Sequence, residues 1–456
     1  MYRYIVEDRR HVLPFNQPAS LLTIGLEPLK IHHEELFSAA FGQQLELGGI
    51  LELSEKNYRN SDELYTCTDE LPRVHGEAVV YRDSLWFDRA FLDYFVREAR
   101  KTGRACQAAF SAGDKAFNTY TLKLTRSFRP ALSPDGKSYV FLCDLWYFPD
   151  GYTPDILPVV VPSDAHEIGF YSVPDFMTAR QDKLTHYAPE RGIVSIESWV
   201  HIYFAAIIFG NFGRAGQLDR SIEHSVFRQV GMLWKAILEQ KQILQSSAAV
   251  HIGKNCTIDP SAVITGPAYI GNNVSIGAGV VIDNSTIGDN VTIDAGCVLM
   301  MSTVANNCFL PFRAALYLTA VMENTIIAQN TCLQMCVVGR DSFIGAGSTF
   351  TDFNLIAQKP IRAANIKGEL ATVDQIVLGS AVGHNCRIGS GMIVFPGRMI
   401  ESDVVLVASP SRRVIEHSVT FEESDHHFVK FGDIHKRKYP RPDEVLTQVE
   451  DSWDTW

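Results

Sequence analysis

Aliphatic residues return at every sixth position between His251 and Ser411, and glycine follows many of them. One step in the series, from Ile282 to Ile287, is five residues long. Neither an α-helix nor a flat amphipathic sheet has a period of six, so the chain must coil, with one aliphatic side chain from each short segment pointing to a shared axis. The pattern predicts a parallel β-helix. The recurring positions are Ile252, Ile258, Ile264, Ile270, Ile276, Ile282, Ile287, Ile293, Leu299, Leu333, Val338, Ile344, Phe350, Val382, Ile388, Val394, Ile400 and Leu406.

Small residues occupy the positions where such a coil must turn. Gly and Asn recur there, and both tolerate a positive φ or a close backbone approach. The pattern resembles the hexapeptide-repeat, left-handed β-helix proteins, whose coils have three short sides, and the resemblance implies a homotrimer or a dimer of trimers. The architecture alone leaves the chemistry open, because such helices serve acyltransferases, carbonic anhydrases and inert scaffolds.

Residues 1–190 alternate strand and helix patterns. The predicted strands include residues 4–6, 78–81 and 138–148, and the predicted helices include residues 29–41 and 88–101. Alternating strands and helices favour an α/β domain with a mainly parallel sheet.

The rest of the chain divides into three parts. Residues 191–250 form a predicted helical connector, in which Trp199, His201 and Trp234 are expected to pack the domains together. The β-helix is expected over 251–414. Its two predicted insertions lie at 309–323 and 354–375, and a charged tail follows over 415–456.

The charge and composition of the chain argue against some classes of function. The chain has 456 residues and a net charge of -11, which argues against nucleic acid as a partner because no basic stripe compensates it. No apolar stretch reaches the length of a membrane span, and the N-terminus lacks the apolar core of a secretion signal. Nine cysteines form no visible disulfide framework, so we expect a reduced, cytoplasmic protein.

The order of an α/β domain, a helical joint and a β-helix resembles the sugar-1-phosphate nucleotidyltransferases with a C-terminal β-helix. These include bacterial and archaeal enzymes that also acetylate glucosamine-1-phosphate. Residues 18–42 and 79–104 are similar to two stretches of that family. Asp83 falls on its magnesium-binding aspartate, so the resemblance implies a catalytic Asp83 with Mg²⁺ as a cofactor.

Several departures from this family weaken the expectation of nucleotidyl transfer. Residues 6–15 contain no Gly, although a phosphate loop needs bare backbone amides, and they place two carboxylates beside the phosphates. Ala19 replaces the phosphate-neutralising lysine of the family, and Arg82 replaces its glycine. Arg9, Arg10 and Arg82 are candidate ligands for a phosphorylated sugar or a nucleotide, with pairing to neighbouring carboxylates as the alternative.

The β-helix resembles the archaeal two-activity enzymes over residues 345–398. In that family an insertion projects into the groove between subunits and supplies an asparagine and lysines to the sugar phosphate. Asn354 matches the asparagine when Lys367 is aligned with the lysine of the family's Lys-Gly pair, and Lys359 and Arg362 fall within a residue of the other lysines. Cations at this spacing suit an anionic ligand, although a solvated basic loop is the alternative.

An acetyltransferase also needs a base to take the amine proton, and histidine is the usual choice. The family places its histidine near residues 331–334, where this chain has none. His384, one coil later, is the candidate catalytic substitute, and a hydrogen-bonded turn residue is the alternative. Asp352 could orient Asn354 or bind an amine, and acyl-CoA would be the donor.

Three functions therefore remain open at the level of sequence. The first is transfer to a phosphorylated sugar at the β-helix subunit interface, and the second is nucleotidyl transfer through Asp83. The third is a non-catalytic regulatory or scaffold homologue that binds sugar nucleotides or assembles partners. We rank the sugar-phosphate or sugar-nucleotide transferase first.

Overall fold

A computed structural model describes residues 1–42, 45–52, 69–133, 136, 138–172, 183–223, 225–354, 359–428 and 435–442. The strands and helices predicted for the N-terminal region are present, as strands Tyr2–Glu7, Ala78–Arg82 and Tyr139–Phe148 and helices Leu29–Phe41 and Arg89–Thr102. The strands of this region are β1 Tyr2–Glu7, β2 His11–Val12, β3 Gln17–Pro18, β4 Thr23–Ile24, β5 Glu27–Pro28, β6 Glu46–Glu52, β7 Ala78–Arg82, β8 Leu85–Phe87, β9 Cys106–Ser111, β10 Arg129–Leu132, β11 Tyr139–Phe148, β12 Leu157–Val160, β13 His166–Ser172, β14 Lys183–Ala188 and β15 Ile193–Ser195. The α-helices are α1 Leu29–Phe41, α2 Arg89–Thr102, α3 Trp199–Tyr203, α4 Gly213–Glu223 and α5 Val226–Glu239, and π-helical segments span Phe117–Thr121 and Phe204–Phe212.

The N-terminal domain is α/β, as predicted, although its sheet is mixed rather than mainly parallel. Its strand order is β12-β9-β11-β7-β1-β6, with β10 added beside β11. The strand β11 runs antiparallel to β7, β9 and β10, whereas β1 is parallel to both β6 and β7. For β10 and β11 the reason is local, because they form a hairpin and parallel strands would need a long crossover.

The C-terminal region is a left-handed parallel β-helix. Its first face consists of β16, β19, β22, β25, β28, β31, β36 and β39; its second of β17, β20, β23, β26, β29, β32, β37 and β40; and its third of β18, β21, β24, β27, β30, β33, β38 and β41. The strands are β16 Val250–Ile252, β17 Thr257–Ile258, β18 Val263–Thr265, β19 Ala268–Ile270, β20 Ser275–Ile276, β21 Val281–Asp283, β22 Thr286–Ile287, β23 Thr292–Ile293, β24 Val298–Met300, β25 Thr303–Val304, β26 Phe309–Leu310, β27 Ala315–Tyr317, β28 Ala320–Val321, β29 Ile326–Ile327, β30 Cys332–Gln334, β31 Val337–Val338, β32 Phe343–Ile344, β33 Thr349–Phe350, β34 Arg362–Ala364, β35 Leu370–Thr372, β36 Ala381–Val382, β37 Arg387–Ile388, β38 Ile393–Val394, β39 Met399–Ile400, β40 Val405–Leu406 and β41 Val414–Ile415. The strands β34 and β35 lie outside the three faces and form a hairpin.

The predicted aliphatic column forms one continuous interior from Ile258 onward, whereas Ile252 in the first coil is 42% exposed. Ile270, Ile276, Ile344 and Ile388 all belong to a single buried cluster and are at most 2% exposed. Turn residues repeat with the same register. Asparagines 17 residues apart take a positive φ, and the side-chain amide of each donates to the next. These residues are Asn273, Asn290, Asn307 and Asn324.

Residues 309–323 form an ordinary coil, so the prediction of an insertion there is wrong. The strands β26, β27 and β28 lie within this segment and pair with the coils on both sides. Leu310, Leu316 and Val321 point inward and are at most 1% exposed. The five-residue step recurs once in each of these 17-residue coils, and this recurrence moves the aliphatic positions off a strict period of six.

The α/β domain packs along the first face of the β-helix. The α3 helix and the π-helical segment after it share one core cluster with outward residues of that face, such as Ala320, Val337 and Ala381. Trp199 is fully buried in this cluster, as predicted. His201 is also fully buried, but its hydrogen bonds go to Glu197 and Lys123 rather than to the β-helix. Trp234 is 60% exposed and does not join the domains. None of the helices in the described ranges combines the length and apolarity that crossing a bilayer requires.

The assignment of residues 309–323 to an ordinary coil can be tested by substitution. Replacing inward-facing Leu310 by Ala should lower the free energy of unfolding by about 2–5 kcal/mol, because a cavity opens in a closely packed column. Replacing its outward neighbour Phe309, which is 39% exposed, should lower it by less than about 1 kcal/mol. Urea unfolding measures both values. Equal losses in the two variants would contradict the assigned register.

Candidate functional site

Arg10 and Arg82 form ion pairs with carboxylates inside the α/β domain. Arg82 is fully buried, with its Nη1 2.9 Å from Asp144 Oδ2 and its Nε 3.1 Å from Asp8 Oδ2. Arg10 Nη2 lies 2.6 Å from the same Asp8 oxygen. Burial alone would raise the pKa of Asp8, but the charges of Arg10 and Arg82 hold it below its ordinary value. Both arginines therefore pair with neighbouring carboxylates, which was the alternative to phosphate binding. We do not propose these two arginines as phosphate ligands.

Arg9 and Asp83 lie beside this network in different environments. Arg9 is on the surface and pairs with Glu7 and Glu52, at 2.6 and 3.0 Å. Asp83 is 8% exposed and its Oδ1 accepts a hydrogen bond from the Asp8 amide at 2.8 Å. Burial raises the pKa of Asp83 to about 7.

The surroundings of Asp83 do not fit Mg²⁺. Magnesium binds ionised carboxylates in an octahedral set, whereas Asp83 holds its proton more tightly than a free aspartate and its neighbour Asp8 is occupied by two arginines. Within the described ranges, no group of three or more His, Cys, Asp or Glu residues is arranged to hold a metal ion.

His384 is sealed inside the molecule. Its ring is fully buried between Phe15 and Tyr439, with centroid distances of 5.0 and 4.7 Å. Its Nδ1 accepts a hydrogen bond from the backbone amide of Arg340 at 3.0 Å. Burial holds the pKa of His384 well below its ordinary value. The residue is therefore neutral but out of reach of a substrate, and its backbone contact matches the turn alternative.

The basic insertion folds back onto its own chain. The hairpin of β34 and β35 buries Ile361, Ala363 and Val373 in the cluster that also holds Trp199. Ser198 Oγ donates to the carbonyl of Ala364 at 2.8 Å. A projection of this hairpin away from the body of the molecule is therefore wrong, because its alternate apolar residues bury against the α/β domain.

The predicted ligands of the insertion are spread along this hairpin. Lys359, Arg362 and Lys367 are exposed; Arg362 lies at the open end and Lys367 in the turn, so the hairpin separates them. Asp352 and Asn354 are partly buried before residues 355–358, which lie outside the described residues. Burial raises the pKa of Asp352. These five positions stay predictions.

A large cleft lies elsewhere, between the α/β domain and the first coils of the β-helix. Its volume is about 1210 Å³. One wall comprises residues before and within α1, the start of α2, the π-helical segment and α4. The other wall comprises Tyr269, Thr286, Asp289, Thr303 and Asn306. Tyr269, Thr286 and Thr303 stack in register on the first face.

Arg214 differs from the other arginines that line this cleft in having neutral hydrogen-bond partners. Its Nη2 donates to the side-chain oxygens of Asn211 and Thr286, both of which are neutral. Arg89 and Arg220, which also line the cleft, are paired with Asp93 and Glu190 at 2.7 Å. Among the described residues, no carboxylate lies within 4 Å of Arg214. Burial lowers the pKa of Arg214. A largely desolvated guanidinium without a counter-ion is suited to bind an anion.

The remaining groups of the cleft supply shape and hydrogen-bond acceptors. Trp86 is stacked between His32 and Phe209, with centroid distances of 5.7 and 5.8 Å. Burial, together with the charge of the neighbouring Glu35, raises the pKa of Glu27 to about 7. Both carboxyl groups line the cleft and offer oxygen atoms to hydroxyl groups.

Sequence reasoning missed this cleft for identifiable reasons. Arg214 stands in a polar helical stretch, where a charged side chain is ordinarily solvated. Thr286 and Thr303 are outward residues of adjacent coils, 17 positions apart, and the recurring coil length was the signal that could have paired them. Nothing in the sequence indicated which face the α/β domain would cover.

Comparisons with known proteins support the β-helix. Residues 249–284 match the family model described as bacterial transferase hexapeptide (six repeats). A search of curated proteins gives no match. Among solved structures, one match is a Bacillus cereus protein with a provisional acetyltransferase assignment. It is 17% identical, and the match covers 32% of this chain and 77% of that one. Its TM-score of 0.14 carries no argument about this chain.

The ion pairs of Arg82 yield one prediction. Arg82→Met should lower the free energy of unfolding by about 3 kcal/mol, because Asp8 and Asp144 would stay buried without that cation. Urea unfolding monitored by fluorescence gives the value, and Arg9→Met is the control on the surface. A stable Arg82→Met protein that had lost affinity for sugar phosphates would restore the phosphate-binding role.

The raised pKa of Glu27 yields a second prediction, on the pH dependence of stability. The folded-state pKa of Glu27 is raised, so its stabilising contribution is present below the ordinary pKa of 4.5 and is lost as the pH rises through about 7. Glu27→Gln should reduce the fall in unfolding free energy between about pH 5 and about pH 8 by about 1 kcal/mol, a figure that allows for solvent screening. Glu34→Gln, at an exposed position of α1, is the control. Equal pH slopes in wild type and Glu27→Gln would contradict a raised pKa for Glu27.

Proposed function

We propose that this protein is a transferase-like β-helix protein that binds a phosphorylated sugar or a nucleotide sugar in the cleft between its two domains. The observation that carries the proposal is Arg214, a mostly buried cation whose partners are neutral. A phosphate group satisfies such a guanidinium through two parallel hydrogen bonds and supplies the missing counter-charge.

The neighbouring groups suit the rest of such a ligand. Glu27 and Glu35 can accept hydrogen bonds from sugar hydroxyl groups, and Thr303 and Asn306 add neutral polar contacts on the β-helix wall. A cleft of about 1210 Å³ is large enough for a nucleotide sugar. Arg89 and Arg220 are already paired with carboxylates, which leaves Arg214 as the point of charge recognition.

Binding is better supported than turnover at the sites expected from sequence. Asp83 is enclosed, His384 is sealed and the arginines expected to hold phosphate are paired with carboxylates. This combination favours the regulatory or scaffold alternative over transfer. The hexapeptide match supports a transferase-like ancestry, and acyl transfer therefore remains a second outcome of the test. A homotrimer and a cytoplasmic location stay predictions.

The test compares two arginines that line the same cleft. Arg214→Gln should weaken binding of a sugar 1-phosphate or a nucleotide sugar by about 10- to 100-fold, the usual effect of losing a charge-assisted hydrogen bond. Arg89→Gln removes an arginine already paired with Asp93 and should change affinity less than about twofold. Isothermal titration calorimetry measures both, after a thermal-shift panel selects the ligand.

The panel also separates the alternatives. It contains sugar phosphates, nucleotide sugars, nucleoside triphosphates with magnesium, and acyl-CoA. Stabilisation by acyl-CoA, lost on Lys359→Ala, would favour acyl transfer at the β-helix. A panel in which no phosphorylated ligand raises the Tm, or in which Arg214→Gln binds as well as wild type, would refute the proposed cleft function.

A further inference from the structure

The α5 helix presents an apolar face to solvent. Phe227 is 94% exposed, Leu238 74% and Trp234 60%. Shorter side chains fill the same face, and the apolar surface continues into the turn after the helix. The remaining exposed residues are Val226, Val230, Leu233, Ile237, Ile243 and Leu244.

These side chains have the spacing of a helix face that packs against another surface. Val226, Val230, Leu233 and Ile237 follow one another at alternating steps of four and three, which places them on one stripe of the helix. Met232 and Ala236 lie on another side and are the buried residues through which α5 rests on its own chain. The N-terminus of the helix is capped, because the side chain of Ser225 accepts a hydrogen bond from the amide of Arg228.

The exposed area is too large for an ordinary free surface. The nine side chains expose roughly 1,000 Å² together, if each exposed fraction is applied to side chains of 100–250 Å². The largest apolar patch of a typical soluble monomer is about 300–600 Å². A stable interface between two proteins buries about 800 Å² on each partner. The face of α5 therefore matches one half of such an interface.

We infer that this face packs against the same face of a second copy of the chain. A two-fold interface brings one patch against itself, so an apolar face of this size needs no other surface to complete it. A lipid surface is a poorer occupant, because the polar side of α5 mixes Arg228 and Lys235 with Glu239 and the whole chain carries a charge of -11, which anionic membranes repel. The inference is independent of the proposed ligand.

Sedimentation equilibrium of the full chain tests it. The wild type should have a mass of at least twice the 50.9 kDa of one chain. The double variant Phe227→Asp, Trp234→Asp should have half the wild-type mass, whether or not the β-helices also associate, because a two-fold contact joins assemblies in pairs. Lys235→Gln, on the polar side of the same helix, should leave the mass unchanged.

Two controls keep the outcome clear. Circular dichroism should show the same helix content in all proteins, since the substituted side chains are exposed; Leu238→Lys is a second variant with the same expected loss of mass. A wild type of single-chain mass, or a double variant of unchanged mass, would overturn the inference. Binding of the wild type, but not the double variant, to phosphatidylcholine vesicles without any change in mass would assign the face to a lipid surface instead.

Discussion

The structure depends on the register of the coils. Each coil must return one aliphatic side chain per face to the shared axis, because a single coil cannot bury its own core. Where coils are 17 residues long, this constraint also stacks the outward residues, as with Thr286 above Thr303. The inward column thereby determines which polar groups become neighbours on the surface of the β-helix. Stability and the layout of the candidate site have the same origin.

The α/β domain covers part of one of these faces. Its helical segment covers the later coils of the first face through apolar contacts and leaves an open cleft over the earlier ones. Arg214 reaches across this opening to Thr286. The sequence predicts a site made by the basic insertion between subunits. This arrangement is disfavoured, because Ser198 and buried apolar residues hold the hairpin of residues 362–372 against its own chain.

Sequence reasoning succeeded where a pattern is local or strictly periodic. The interior column, including Ile270 and Ile388, and the helices at 29–41 and 89–102 follow from spacing alone. It failed where the outcome depends on contacts distant in sequence. The side chain of Arg82 is an internal cation because Asp144, on another strand, faces it. His384 is sealed by Tyr439 from the tail, and no local signal indicates that contact.

The central claim is that the domain cleft lined by Arg214 is an anion-binding site. A crystal structure of the protein with a bound sugar 1-phosphate tests it most directly. The account predicts the phosphate within hydrogen-bonding distance of the Arg214 guanidinium, beside Thr286. Phosphate bound instead at Lys359 and Lys367 of the insertion, with the cleft empty, would contradict it.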